Sequence, residues 1–149
     1  MRITLDTNQL VRALMRPPQL ATFVMAWEAR RFVVVCSQLL LDEYERVLAY
    51  PDVAHLIFPE LLRAFRSHLI HDIEQVDVPE VMPICRDPDD DKVIATAIFG
   101  MVDYLVTADN DLRTPAIIEA LRKADIAVVS LDEFVRLHLV GLPANEDQP

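Results

Sequence analysis

Glycine is the scarcest ordinary residue in this chain. The 149 residues include only two glycines, Gly100 and Gly141, where average usage would give about ten. A P-loop and a dinucleotide-binding fingerprint each need several glycines, because their backbone amides must approach a phosphate closely. Both are therefore excluded. If the protein handles phosphates, it does so with side chains or metal ions.

Cysteines and long apolar runs are also scarce. Two cysteines, Cys36 and Cys85, are too few for a disulfide framework, and their spacing does not fit a zinc site. We therefore expect two free thiols in a reducing cytoplasm. No run approaches the about 18 apolar residues of a membrane span, and Asp6 interrupts what would be the apolar part of a signal peptide. These features predict a soluble, cytoplasmic protein without membrane contact.

Basic residues are depleted in the second half of the chain. Residues 1–72 carry eight acids and eight bases, whereas residues 73–149 carry sixteen acids and six bases, which accounts for the whole net charge of −10. An acidic protein is not expected to bind nucleic acid through charge alone. The surplus is either a solvated face or several carboxylates gathered around a cation.

Short β-prone runs alternate with helical patterns, without repeats or a long linker. Strands are predicted at residues 2–5, 32–36, 75–78, 104–106 and 126–129, and helices at residues 8–15, 19–30, 37–49, 59–71, 89–99, 115–123 and 131–139. Gly100 is expected to be the first residue beyond a helix end. The alternation predicts an α/β fold with a mostly parallel sheet in one domain, residues 1–139. Residues 140–149 are expected to be a flexible tail.

Several acidic residues follow predicted strands. Asp6 ends the first strand, Asp109 follows the strand at residues 104–106, and Glu43 lies about two turns into the helix after the second strand. Residues 87–91 contain four further aspartates. Because parallel α/β sheets bind ligands at the carboxyl ends of their strands, these acids are expected at one edge of the sheet.

Helical spacing favours Asp90 among the clustered aspartates. Asp90 precedes Val93 and Ile94 by three and four residues, so it continues their apolar stripe, with Asp89 and Asp91 to either side. An acid in a buried stripe is costly unless it is paired or bound to a metal. Single acids also fit helix caps and surfaces. Clustered carboxylates repel one another, and Mg²⁺ or Mn²⁺ relieves that repulsion with oxygen ligands.

Four segments carry a family resemblance. They are Leu5-Asp6-Thr7-Asn8, the stretch from Ser37 to Leu48, Arg86-Asp87-Pro88-Asp89-Asp90-Asp91-Lys92, and the stretch from Asp103 to Leu112. In order and spacing they resemble PIN-domain proteins, most of all the bacterial and archaeal branch of toxins from toxin–antitoxin pairs. The resemblance covers about residues 2–135. It implies a three-layer α/β/α sandwich and divalent-metal-dependent endonucleolytic cleavage of RNA.

The resemblance also implies roles for individual residues. The catalytic and metal-binding acids would be Asp6, Glu43, Asp90 and Asp109, holding Mg²⁺ or Mn²⁺, with Asp111 as an accessory metal acid. Asn8, Thr107 and Asp91 would be polar supports. Because Asp91 stands where relatives usually have asparagine, Asp90 and Asp91 remain alternatives for the third ligand. Ala108 replaces a residue that is often glycine.

Arginine is the expected phosphate ligand, because its fork of donors suits bidentate contacts. Arg12 and Arg16 are one turn apart on the first helix, and Arg86 adjoins the acidic loop. The implied partners are an RNA substrate and a cognate antitoxin. The apolar surface of the helices at residues 19–30 and 59–71 also predicts a homodimer.

Two other functions compete with a metal-dependent endoribonuclease. A phosphohydrolase with an aspartate nucleophile generally pairs two acids two residues apart at the first strand, and here position 8 is asparagine. A catalytically idle PIN module would bind RNA or protein as a scaffold. The intact set of four acids argues against that alternative.

Overall fold

The computed structural model describes residues 1–140, apart from the side chains of residues 17, 19 and 20. Five strands are present: β1 (Arg2–Leu5), β2 (Val33–Cys36), β3 (Glu74–Gln75), β4 (Tyr104–Val106) and β5 (Ala127–Val129). The helices are α1 (Thr7–Leu14), α2 (Pro17–Glu28), α3 (Gln38–Leu48), α4 (Pro51–Ala54), α5 (Pro59–His71), α6 (Asp91–Phe99), α7 (Pro115–Lys123) and α8 (Leu131–His138). Within these residues, no helix is long and apolar enough to cross a membrane. The predicted tail lies outside the described residues from position 141 onward.

The five strands form one parallel sheet in the order β3-β2-β1-β4-β5. Val34, Val35 and Cys36 are consecutive and all buried, so both faces of β2 are covered. Continuous burial of this kind is typical of a parallel strand between helical layers. The α/β fold with a parallel central sheet flanked by helices is therefore confirmed.

The strand order places a crevice between β1 and β4. The chain runs outward from β1 through β2 to β3 and then returns to place β4 on the other side of β1. Right-handed crossovers in opposite directions put their helices on opposite faces, which leaves a gap at the carboxyl ends of the two central strands. Leu5 pairs with Val106, so the residues that follow them begin at the same level.

Some boundaries differ from the sequence prediction. Pro51, expected only to end a helix, begins the short helix α4. The third strand is Glu74–Gln75 rather than residues 75–78. Its partner β2 ends at Cys36, which pairs with Gln75 and whose carbonyl accepts from the Val76 amide at 2.9 Å, so no residue of β2 remains to pair with the chain beyond this point. A 3₁₀ turn, Pro88–Asp90, precedes α6, where a continuous helix from residue 89 was expected.

Three helices end with non-glycine residues in the left-handed conformation. These residues are Arg30 after α2, Met101 after α6 and Asp125 after α7, with φ of 53°, 47° and 58°. In each case the next amide donates to the carbonyl five residues back, over 3.0, 3.2 and 2.9 Å respectively. This is the Schellman pattern, which usually employs glycine. Because the chain has few glycines, ordinary residues adopt the left-handed conformation at these three helix ends, and each pays a cost in conformational energy.

Gly100 does not have the predicted role. Its φ is −76°, in the right-handed helical region, and Met101 is the left-handed residue instead. A Cβ at Gly100 would lie 2.7 Å from both the Thr96 carbonyl oxygen and Val35 Cγ1. Glycine is needed here for close packing of α6 on β2, not for an unusual backbone angle.

We expect Met101→Gly to raise the free energy of unfolding by up to about 1 kcal/mol, measured by chemical denaturation. Glycine removes a left-handed strain of about 1–2 kcal/mol, while its extra freedom in the unfolded chain takes back about 0.5–1 kcal/mol. The Met101 side chain is 77% exposed, so little packing is lost. Ala120→Gly, at an exposed position within α7, is the control and should destabilise by about 1 kcal/mol. Equal destabilisation by both variants would contradict a strained Met101.

Candidate metal centre

Asp6 occupies the crevice at the end of β1. It is the N-cap of α1 and only 4% exposed, and its carboxylate accepts from the Thr107 hydroxyl at 3.0 Å and from the Asn8 amide at 3.5 Å. Its own amide donates to the Val106 carbonyl at 2.9 Å. Burial raises the pKa of Asp6 and the nearby Asp109 and Glu43 charges add to the increase, while the two hydrogen bonds oppose it.

Glu43 approaches from α3 and is held on both oxygens. Its Oε1 accepts from the Thr7 hydroxyl, and its Oε2 contacts the Lys92 ammonium, with the Arg46 guanidinium 3.8 Å away. The adjacent Tyr44 is fully buried and donates its hydroxyl to the Leu5 carbonyl, one residue before Asp6. Neighbouring residues of α3 therefore contact both the start of α1 and the end of β1.

Asp90 and Asp91 have different environments. Asp91 is buried, and its Oδ1 accepts from the amides of Cys85 at 2.7 Å and Ile84 at 3.0 Å. Desolvation raises the pKa of Asp91, but these backbone hydrogen bonds outweigh it, so the pKa is lowered overall. Asp90, by contrast, is half-buried as the last residue of the 3₁₀ turn.

The electrostatic surroundings of Asp90 connect it to the other acids. The pKa of Asp90 is raised to about 6. Burial is the largest cause, and repulsion from Asp109, Asp87, Asp6 and Asp111 adds to it. Asp90 therefore lies close enough to Asp6 and Asp109 to be repelled by their charges. The Asp91 carboxylate instead anchors the loop before α6. Asp91, rather than Asp90, is the acid buried at the start of α6, because the 3₁₀ turn changes the phase that a continuous helix predicts.

Asp109 and Asp111 follow β4. The Asp109 amide donates to the Thr107 hydroxyl at 3.1 Å, and its carboxylate accepts from the Asp111 amide at 2.8 Å. Asp111 is paired with Arg86 at 2.7 Å.

Cys85, one of two free thiols, lies near these acids. Desolvation raises its pKa to about 12, and the hydrogen bond and charge of Asp91 add to the increase. The Cys85 thiol is therefore protonated and not a ready metal ligand.

Cations are distributed unevenly among the acids. Within residues 1–140, no basic side chain pairs with Asp6, Asp90 or Asp109, whereas Lys92 pairs with Glu43 and Arg86 with Asp111. No base therefore neutralises these three acids, and burial, with a smaller contribution from repulsion by neighbouring carboxylates, raises the pKa of Asp6 and Asp90.

The donors fit a hard divalent cation, although they are spread apart. Among the described residues, no three carboxylate, histidine or cysteine side chains lie close enough together to hold a metal ion. Glu43 is engaged by Thr7 and Lys92, and Asp109 by the Asp111 amide. Oxygen donors and mutual repulsion are the chemistry that suits a hard divalent cation, whereas the Lys92 ammonium on Glu43 opposes it. An ion shared among all four acids would lie beside the ammonium of Lys92, which would repel it.

The remaining predicted site residues lie further out. Asn8 is exposed and contributes its backbone amide to Asp6. Arg12 and Arg16 approach Asp132 of α8 to 3.7 and 3.9 Å. Arg12 lies on α1, about 9 Å from Asp6 at 1.5 Å per helical residue. Arg16 is not on the first helix as expected, because α1 ends at Leu14 and Arg16 is the N-cap residue of α2. Neither approaches the acids as Arg86 does.

Sequence reasoning missed the residues that organise the acids. Thr7 and Lys92 engage Glu43, and Tyr44 joins α3 to the end of β1. The buried hydroxyls of Ser37 and Thr96 are 2.7 Å apart and join α3 to α6. Thr7 and Lys92 stand inside the segments that carry the family resemblance, which was the available signal.

We expect Thr107→Val to lower the free energy of unfolding by about 2 kcal/mol, because a buried carboxylate loses a charge-assisted hydrogen bond and the Asp109 amide loses its acceptor. Thr4→Val is the matched control: it also removes a fully buried hydroxyl, which donates to the neutral Val35 carbonyl at 3.0 Å. It should cost about 1 kcal/mol. Urea denaturation compares the two. An equal or smaller loss for Thr107→Val would contradict a charge-assisted bond to Asp6.

Comparison with known families agrees with this geometry. A family model described as PIN domain matches residues 2–111, a range that includes the strand-end acids, the start of α6 and Asp111. The comparisons with curated proteins and with solved structures find no match. PIN domains are typically nucleases that use divalent metals, so the broad functional class is a nuclease, a hydrolytic enzyme. The chain belongs to the PIN-domain family.

Proposed function

We propose that this protein is a divalent-metal-dependent endoribonuclease that uses Mg²⁺ or Mn²⁺. Its metal-binding and catalytic acids are Asp6, Glu43, Asp90 and Asp109, with Asp111 as an accessory acid. The observation that carries the proposal is the set of unpaired acids at the crevice between β1 and β4, where repulsion from the others adds to the burial that raises the pKa of Asp6 and Asp90. This crevice is where open parallel sheets bind their ligands.

The residues around the acids have distinct tasks. A bound ion would lower the pKa of its water and supply hydroxide for attack on the phosphodiester. Thr107 orients Asp6 through its hydroxyl, and the two amide hydrogen bonds on Asp91 hold the loop before α6. Arg86 is 84% exposed beside Asp111, which suits a contact with the RNA backbone. Arg12 and Arg16 are candidates for more distant phosphates.

We expect Asp6→Asn and Asp90→Asn each to reduce Mn²⁺-dependent cleavage of single-stranded RNA by about 100-fold or more, because each removes a charged oxygen ligand. Asp91→Asn is the matched comparison: the amide oxygen can still accept from Ile84 and Cys85, so most of the activity should remain. EDTA should stop the parent enzyme. Gel assays measure cleavage, and circular dichroism verifies folding.

Each contrary outcome has a specific meaning. Parental cleavage by the Asp6 and Asp90 variants would refute the site assignment, and a larger loss in Asp91→Asn than in Asp90→Asn would move the third ligand to Asp91. Cleavage that survives EDTA would refute metal dependence. RNA binding without cleavage at any Mg²⁺ or Mn²⁺ concentration would favour the idle scaffold.

The toxin role, the antitoxin and the homodimer are further parts of the proposal. The toxin role and the antitoxin rest on the resemblance to toxins of toxin–antitoxin pairs. The homodimer is supported by large apolar side chains that are exposed on α2, α5 and the connection before α5. These are Met25 at 60%, Leu56 at 59%, Phe58 at 63% and Ile70 at 71% exposure.

In light scattering at micromolar concentration, we expect a mass twice the 17.0 kDa of one chain. Phe58→Glu should shift the mass toward one chain, because a charge within an apolar contact is costly. Met101→Glu changes an exposed apolar residue at another edge of the fold and serves as the control. A mass of one chain for the unaltered protein would refute the dimer.

A further inference from the structure

Lys92 is the only lysine in contact with the candidate centre. It is the second residue of α6, and its ammonium contacts Glu43 Oε2. The two side chains are 15% and 16% exposed, so water screens the pair weakly. Removing one partner of an ion pair of this burial costs more than it does at the surface, because the other charge is left buried and unpaired.

Both carboxylate oxygens of Glu43 already have a partner. Thr7 donates to Oε1, while Lys92 contacts Oε2. Among the four proposed ligands, Glu43 alone has a basic partner within the described residues. Recruitment of Glu43 by a divalent ion therefore differs from that of Asp6, Asp90 and Asp109, because the ion would be repelled by an ammonium already on the carboxylate.

The main chain of Lys92 is fixed relative to α3. The Thr96 hydroxyl lies 2.7 Å from the Lys92 carbonyl, to which it donates, and 2.7 Å from the Ser37 hydroxyl that caps α3. Glu43 and Lys92 thus stand on two helices joined by a buried hydrogen bond. Only the flexible side chains need to move for the pair to separate, and Asp89 is 4.0 Å from the ammonium as a second, exposed partner.

We infer that Lys92 is a built-in competitor cation, whose ammonium neutralises Glu43 in the absence of metal and is displaced when a divalent ion binds. The inference rests on the proposed function, because it takes Glu43 as a metal ligand. Lys92 thereby weakens the affinity of the centre for its ion. It also holds the Glu43 carboxylate in place between metal-binding events.

Calorimetric titration with Mn²⁺ alone tests the competition. We expect Lys92→Met, which keeps an unbranched apolar side chain, to bind Mn²⁺ about tenfold more tightly than the parent, since no ion pair opposes binding. Lys92→Arg keeps the charge and should stay near the parental affinity. Lys123→Met removes the other lysine in the chain, exposed at the far end of α7, and controls for net charge.

The outcomes separate this inference from the proposed function. Equal or weaker Mn²⁺ binding by Lys92→Met would overturn the competition, provided that the parent binds Mn²⁺. A parent that binds no Mn²⁺ would instead refute the metal centre itself. An equal gain in Lys123→Met would reduce the effect to general electrostatics and also overturn the inference.

A second test uses the unaltered protein, so it does not depend on folding of a variant. The two lysines are labelled with an amine-reactive ester and quantified by peptide mass spectrometry, with Lys123 as the internal reference. Labelling of Lys92 should increase severalfold when Mg²⁺ saturates the protein, because the ammonium leaves a poorly exposed ion pair. Unchanged or reduced labelling of Lys92 at saturation would show that it is not displaced.

Discussion

Repulsion among carboxylates at the ends of β1 and β4 is the constraint on which the site depends. Parallel pairing of these strands brings Asp6 and Asp109 to the same edge, and the turn before α6 adds Asp90. Glu43 and Asp111 are paired with bases, while Asp6, Asp90 and Asp109 have no basic partner within the described residues. This arrangement concentrates unpaired negative charge in the crevice, which a divalent cation would have to neutralise before a polyanionic substrate could approach.

The fold class was predictable because most of the longer elements have a local signal, although α4 and the position of β3 did not. Buried strands are short β-branched runs, and most helices have clear periodicity with proline or a hydroxyl cap at the start. The order of strands was not predictable in this way. The pairing of β1 with β4 joins residues about one hundred positions apart, through backbone hydrogen bonds that any residue types can make.

The candidate site was predictable to the level of segments but not of contacts. The strand-end acids follow from the general position of ligands in parallel sheets. The choice between Asp90 and Asp91 depends on a 3₁₀ turn, whose tighter winding changes which carboxylate points inward. The partners of Glu43 come from α1 and α6, and such tertiary contacts leave no periodic pattern. Local reasoning could therefore name the acids, but not the groups that control their charge.

The short outer strands have a consequence for behaviour at high concentration. β3 has two residues and β5 has three, so each edge of the sheet offers few unpaired backbone groups to another chain. Glu74, one of the two residues of β3, also adds charge at that edge. Short and charged edges discourage the edge-to-edge strand pairing that leads to aggregation. The longer strands, β1 and β2 with four residues each, are thus paired on both sides within the sheet.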